Sequence, residues 1–361
     1  MKKIAINIGL TVFATLASLL LLEFALRIFC PIYSPHSPQK HKCENFVEYS
    51  SSYGWFHKRG FVTWVENQEY ATKIIINQKG LRGAEYRYEK EPGTLRVVML
   101  GDSFAFGLGV DESDTVAVKL EELFGKAGKK VEVINMGVDG FGTDQEYLLL
   151  REEGVKYDPD VVICLFFVGN DVENNSSGEQ YHELKPYFTF DGDSLNLKNY
   201  PVPVKKGSMA TPEKASEPRG KIRMPLKSFF QDHSYAYTFL RLRYNYLLYK
   251  IGVRKSVHLS VNKEALRVTD EIFLKMKQLC DEYDIELIIA AIPTKEQVLG
   301  AEKDDIQRPF AKFVRRSGIQ YIDLLGPLKG RRDLNYTIDS HWNKKGSAVI
   351  ARILYDAINA K

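Results

Sequence analysis

At 361 residues, with 44% apolar and 27% charged side chains, the chain is long enough to bury one large core or two modest ones, and its composition excludes intrinsic disorder. The net charge of +4 is carried by Lys and Arg residues spread along the sequence, which excludes an electrostatic footprint for nucleic acid. The four cysteines have no metal-ligand spacing, Gly107-Leu108-Gly109 runs into Val-Asp-Glu instead of a dinucleotide fingerprint, and there is no phosphate loop, so no metal and no cofactor is expected.

Met1-Lys2-Lys3 precedes the uncharged run from Ile4 to Leu22, which can cross most of a bilayer as a helix. Glu23 and Arg27 follow, one i,i+4 step apart. A cleaved signal peptide is the rival reading. The run is long, however, and the sequence after Leu22, Glu-Phe-Ala-Leu-Arg-Ile-Phe-Cys-Pro, holds no small-x-small cleavage site, so an uncleaved anchor over residues 1–30 is expected. Lys2 and Lys3 on one flank are answered by Arg27, Lys40 and Lys42 on the other, and the charge count does not orient the helix. Cys30 and Cys43 lie close enough to this segment to pair in an oxidising compartment, whereas Cys164 and Cys280 read as small buried apolar residues.

Residues 31–94 read as a Pro, Ser and His-rich stalk and a small β appendage, with two or three short strands around Tyr53–Phe56, Phe61–Val65 and Tyr70–Ile76. From Leu95 strands and helices alternate: strand Leu95–Leu100, helix Thr115–Phe124, strand Val131–Met136, helix Thr143–Glu153, strand Val161–Val168. The alternation resumes with helix Lys263–Tyr283, strand Ile285–Ile292, a helix near Asp304–Arg316, strand Tyr321–Leu325 and helix Lys344–Asn359. This pattern predicts an α/β fold, a mainly parallel sheet covered by helices on both faces, built from residues 95–172 and 263–361. Residues 173–262 interrupt it with a predicted hairpin over Tyr187–Leu197, a Pro, Lys and Ser-rich loop, and a tyrosine-dense helix from Tyr235 to Tyr249. That helix reads equally as a lid over a site and as a plain packing helix.

The run Leu95-Arg96-Val97-Val98-Met99-Leu100 stops at Gly101-Asp102-Ser103-Phe104, so Ser103 stands at the carboxyl end of a predicted strand, where open α/β sheets gather ligands. Asp339-Ser340-His341-Trp342-Asn343 offers an imidazole from a loop that opens a helix. A serine hydroxyl is a poor nucleophile until a base takes its proton; His341 is the candidate base, and Asp339 the candidate acid holding its tautomer. Acyl transfer also needs donors aimed at the oxyanion, and two turns after the next strands supply candidates: Asn135-Met136-Gly137-Val138-Asp139-Gly140 and Gly169-Asn170-Asp171. Singly, each has a plainer reading as a turn, a loop glycine, a helix cap or a surface histidine. Jointly, in this order and at strand ends, they point to one crevice. The Gly-x-Ser-x-Gly elbow is absent, since Ala105 occupies its last position.

These four blocks resemble the SGNH hydrolases, also called GDSL-type esterases and lipases. Gly101-Asp102-Ser103-Phe104 looks like the first block, Asn135 with Gly140 the second, Gly169-Asn170-Asp171 the third, and Asp339 with His341 the last. The resemblance covers about Leu95–Asp171 and Lys263–Lys361. It implies a flavodoxin-like three-layer α/β/α sandwich, Ser103 as nucleophile, His341 as base, and Ser103, Gly140 and Asn170 as oxyanion donors. The family's aspartate usually stands three residues before the histidine; here that position is Ile338, and the acid is Asp339. The Asp-x-His-Trp spelling is similar to that of SGNH-like polysaccharide O-acetyltransferases of bacterial envelopes, in which it precedes the serine. The resemblance thus implies a membrane-anchored, extracytoplasmic ester hydrolase acting on an acyl ester of a glycan or lipid. An O-acyltransferase using the same site, and a non-catalytic carbohydrate-binding or assembly protein, stand as alternatives.

Overall fold

The computed structural model describes residues 2–29, 44–67, 69–205, 234–237, 239–240, 244, 263–300, 307–337 and 339–359. The expected Cys30–Cys43 pairing, the Pro-rich stalk and most of the tyrosine-dense helix lie outside the described residues. The chain divides into two compact units. The first comprises Met1–His41, Pro218–Val257 and Thr337–Asp339. Its helix α1, Lys2–Phe29, contains Ile6–Phe29, which is long and apolar enough to cross a membrane by length and composition. Near its end the Glu23 carboxylate accepts from the Ser234 hydroxyl at 2.9 Å and from the Ala236 backbone N–H at 2.8 Å, while the Arg27 guanidinium lies 5.0 Å from the Tyr235 ring centroid.

The second unit holds the sheet and its coverings. Four short strands come first: β1 Val47–Ser50 pairs antiparallel with β2 Gly54–His57, and β3 Val62–Glu66 with β4 Ala71–Ile75. β1 goes beyond the two or three strands expected of this stretch; its alternation of Val47 and Tyr49 with Glu48 and Ser50 runs for only four residues, too short to announce a strand. The main sheet then takes β5 Leu95–Gly101, β6 Val131–Asn135 and β7 Val161–Phe167. The small antiparallel pairs β8 Glu179–Gln180 with β9 Glu183–Leu184, and β10 Tyr187–Asp191 with β11 Ser194–Lys198, follow, and β12 Glu286–Ile292 and β13 Gln320–Asp323 complete the main sheet. The sheet order is β13-β12-β7-β5-β6, all parallel.

Helices α2 Ser103–Phe106, α3 Val116–Lys126, α4 Thr143–Glu152, α5 Asp171–Asn174, α6 Lys263–Glu282, α7 Lys295–Val298, α8 Gln307–Ser317, α9 Leu325–Leu328 and α10 Lys344–Asn359 connect the strands. The two-residue strand period sorts side chains to opposite faces. Val98, Leu100, Val162, Cys164 and Ile289 pack with Leu148, Ile272, Phe273 and Phe310 of α4, α6 and α8, while Val97, Met99, Ile163, Leu165 and Ala290 pack with Leu120, Phe124, Ile350 and Leu354 of α3 and α10. The result is the three-layer α/β/α sandwich expected from the alternation, with Cys164 and Cys280 buried and unpaired. One boundary differs: the strand expected over Tyr321–Leu325 ends at Asp323, because the Asp323 carboxylate accepts the Leu325 N–H at 2.9 Å and turns the chain into α9.

The β appendage is more than a cover. Phe46, Val65, Tyr70, Ile74 and Ile76 form a small core with Phe106 and Leu108, just beyond α2. Beside it the buried Arg82 guanidinium donates from Nη1 to the carbonyls of Phe106 (2.7 Å) and Gly107 (2.6 Å) and from Nη2 to Val110 O (2.6 Å). Its Nε lies 3.4 Å from the Glu112 carboxylate. Gly107 O also takes the Val110 N–H at 3.2 Å, so two acceptors, Phe106 O and Val110 O, depend on this one side chain. Replacing it leaves them buried and unmet, at about 1–3 kcal/mol each before relaxation. We expect Arg82→Leu to lower the unfolding free energy by about 3 kcal/mol, read as a fall in the urea midpoint at unchanged m-value.

Candidate active site

In the order of its own strands the sheet runs second, first, third, fourth, fifth, so the chain leaves β5 for opposite sides at β6 and β7. Such a reversal opens a crevice beyond the carboxyl ends of the two strands that flank it. The blocks singled out in the sequence follow β5, β6 and β7, around that position.

Ser103 is the first residue of α2, and the Asp102 carboxylate caps that helix by accepting the Phe104 N–H at 2.9 Å. Its Oγ lies 2.6 Å from Nε2 of His341. The histidine is delivered by a tight excursion before α10. Asn335 and Trp342 form an isolated antiparallel bridge, the Tyr336 N–H donates to His341 O at 3.0 Å, and Asn335 Nδ2 donates to Ser340 O at 2.6 Å. Asn343 then caps α10, its Oδ1 accepting the N–H groups of Lys345 (2.9 Å) and Gly346 (3.1 Å), while its Nδ2 donates to Asp333 O and Asn335 O. Phe104 lies between the two halves of the site, its ring centroid 4.9 Å from that of His341 and 4.8 Å from those of Trp342 and Phe167.

The loop after β6 is drawn against β5 by the Met136 and Val138 N–H groups, which donate to the Met99 and Gly101 carbonyls at 2.8 and 3.0 Å. Asn135 Oδ1 accepts the Gly137 N–H at 2.9 Å, an Asx-type turn. Gly137 is forced by contact: a Cβ there would lie 2.1 Å from the Phe106 nitrogen. A second turn closes with the Phe141 N–H on Val138 O at 3.0 Å, and Gly140, its third residue, has φ +75°. Asn170 precedes α5, its Oδ1 buried without a hydrogen-bond partner among the described residues. Asp339 is buried; it falls in the stretch Thr337–Asp339 of the first unit. Geometry thus brings Ser103 and His341 into contact and sets Gly140 and Asn170 at the ends of the two neighbouring strands.

Several residues at the site carried no signal in the sequence. Tyr181 and His182 both have positive φ, 52° and 68°, and form the two-residue turn between β8 and β9. The Tyr181 ring covers Gly140 so closely that a Cβ on the glycine would lie 2.5 Å from Tyr181 Cε2. One residue past β9, the fully buried Lys185 ammonium pairs with the fully buried Asp144 carboxylate of α4 and donates to Asn174 O at 2.9 Å. Behind the strand ends Glu146 accepts from the Cys164 thiol at 3.2 Å, and Asp171 accepts the Phe167 N–H at 2.8 Å. Burial, reinforced by neighbouring carboxylates, raises both acids well above the usual range.

No family model matches the sequence, and no curated protein sequence matches it. Among solved structures the chain is similar to TesA, with 10% identity over 73% of this chain and 98% of that one and a TM-score of 0.43. It is similar to the lipase/acylhydrolase from Enterococcus faecalis, with 12% identity over 74% and 96% and a TM-score of 0.42. It is also similar to the acetyl xylan esterase AlAXEase, with 13% identity over 73% and 100% and a TM-score of 0.42. Likeness at this level carries neither a family nor an activity across to this chain.

Asp102 gives the site a pH signature. Burial pushes its carboxyl up to about 7, against the pull of the Phe104 N–H and of His341, with Asp139 pushing the same way as burial. The folded protein then holds this proton where the unfolded chain, with an ordinary carboxyl at 3.8, has lost it. Stability is therefore undiminished below the unfolded pKa and falls as pH rises from about 4 to about 7. Asparagine keeps the cap acceptor and cannot ionise. Asp102→Asn is expected to melt higher than wild type at pH 8, with the difference shrinking to nothing near pH 4, as followed by differential scanning calorimetry.

Proposed function

We propose that the chain is a serine ester hydrolase of the SGNH type, held at a membrane by α1 with its catalytic domain on the extracytoplasmic side. The observation that carries this reading is the 2.6 Å contact between Ser103 Oγ and His341 Nε2, formed at the carboxyl ends of parallel strands beside the sheet's reversal point. In this reading the neutral imidazole accepts the Ser103 proton as Oγ attacks the ester carbonyl, and then delivers it to the departing alkoxide. Water, deprotonated by the same imidazole, releases the acyl group from Oγ. The tetrahedral oxyanion is met by the Ser103 and Gly140 N–H groups and the Asn170 amide. Asp339 is the acid assigned to offset the imidazolium charge. The substrate class is an acyl ester, with a glycan or a lipid as the alcohol or acyl carrier.

The test is labelling by a fluorophosphonate, which needs an activated serine and no knowledge of the natural substrate. We expect wild type to label, Ser103→Ala to be silent, and His341→Ala to lose about 10⁴-fold or more of kcat on 4-nitrophenyl acetate. Asn170→Ala, removing one oxyanion donor, is expected to lose about 10²–10³-fold in kcat. A folded wild-type protein that neither labels nor hydrolyses short esters would refute the reading.

A further inference from the structure

The turn carrying Gly140 has two accessible forms that differ in one peptide. Val138 O accepts the Phe141 N–H at 3.0 Å, so Asp139 and Gly140 are its central residues. Gly140 has φ +75° and Asp139 is not among the residues with positive φ, which is the type II arrangement. Type I and type II turns close with the same hydrogen bond; between them the central peptide, here Asp139–Gly140, turns over. Because a trans peptide holds its C=O and N–H on opposite sides, the face that receives the Asp139 carbonyl decides where the Gly140 N–H points. Glycine tolerates both forms, so something else must choose.

The structure offers one such group. Trp55, in strand β2 of the appendage and 5% exposed, donates from Nε1 to Asp139 O at 3.0 Å. The indole is itself fixed, with its ring edge-on to Phe141 at 5.8 Å. Its neighbour Tyr53 donates no freedom to the strand either, since Tyr53 O accepts from the Gln145 amide of α4 at 2.8 Å. No intramolecular acceptor takes the Gly140 N–H among the described residues, which leaves that donor for a ligand.

We propose that Trp55 is a positioning residue that selects the type II form of the Val138–Phe141 turn and thereby aims the Gly140 N–H at the oxyanion. This rests on the hydrolase reading above. It assigns to the appendage, outside the α/β sandwich, a part in the chemistry: losing the indole N–H lets the peptide turn over and present a carbonyl, which repels an oxyanion, in place of a donor.

The experiment compares wild type, Trp55→Phe and Gly140→Ala in steady-state hydrolysis of 4-nitrophenyl acetate across pH, with fluorophosphonate labelling rates alongside. Phenylalanine keeps an aromatic body and loses only the donor; alanine disfavours the positive φ of the same turn without touching Trp55, but its Cβ also meets the Tyr181 ring, so it reports on the turn while Trp55→Phe reports on what selects it. Both variants are expected to lose roughly 10- to 100-fold in kcat with KM within about twofold and the midpoint of the pH–kcat profile unmoved, and to label correspondingly more slowly. Trp55→Phe with kcat within about threefold of wild type overturns the proposal. So does a loss in kcat accompanied by a shifted pH midpoint, because that places the damage at Ser103 and His341. Should Trp55→Phe fail to fold, Trp55→Met, which likewise lacks a donor for the Asp139 carbonyl, decides by the same criteria. A wild-type enzyme with no activity and no labelling defeats the parent reading and this one together, whereas active wild type with unaffected variants defeats this one alone.

Discussion

A hydrogen bond of 2.6 Å between side chains 238 residues apart sets the tolerance for everything around it. Neither partner sits deep within a regular element: Ser103 opens a helix of four residues, and His341 lies in a loop. A displacement of either by an ångström would break the contact, so the surrounding interactions are best understood by which partner they immobilise. On the serine side these are the Asp102 cap, the Gly137 backbone packed against α2, and the Arg82 fork on the three carbonyls beyond it. On the histidine side they are the Asn335–Trp342 bridge and the Asn343 cap. Tyr336 joins the two sides: its hydroxyl donates to Gly109 O beyond α2, its N–H donates to His341 O, and its ring lies 4.9 Å from Tyr70 of the appendage.

Buried acids crowd the ground behind the site. Asp102, Glu146 and Asp171 are buried close to the strand ends, and burial holds each above its ordinary pKa. The fully buried Asp144 is matched to the fully buried Lys185, and this pair fixes the chain immediately after the turn that carries Tyr181. Burying two charges is costly unless they meet each other, so removing either alone destabilises more than the pair contributes. The pair is better understood as an anchor for the hairpin than as a source of stability.

The sheet was legible in the sequence because its determinants are local. β5, β7 and β12 are short apolar runs bounded by glycine, proline or acid, and the helices between them show a 3.6-residue period, so expected and observed limits agree within one or two residues. β1 was not legible, because its alternation of Val47 and Tyr49 with Glu48 and Ser50 covers only four residues. The pairing of Ser103 with His341 was visible only as an order of motifs. Trp55, Arg82 and Tyr181 were not visible at all, because each acts through a contact 24 to 84 residues away whose partner is a backbone group or a bare glycine. No side-chain pattern records that a particular carbonyl needs a donor. Asp339, by contrast, was visible in the sequence two places before His341, and it is buried.

The wide separation of the two reacting side chains has a consequence for biosynthesis. A ribosome exposes Ser103, with the strands and loops that shape its surroundings, long before His341. During that interval the serine is an ordinary alcohol. The Ser103–His341 contact forms only when residues 340–343 are anchored by the capped start of α10 and meet α2. A chain clipped before that point lacks both the partner of Ser103 and α10, whose Ile350 and Leu354 cover one face of the sheet, so completing the sandwich and completing the Ser103–His341 contact fall to the same last stretch of polypeptide.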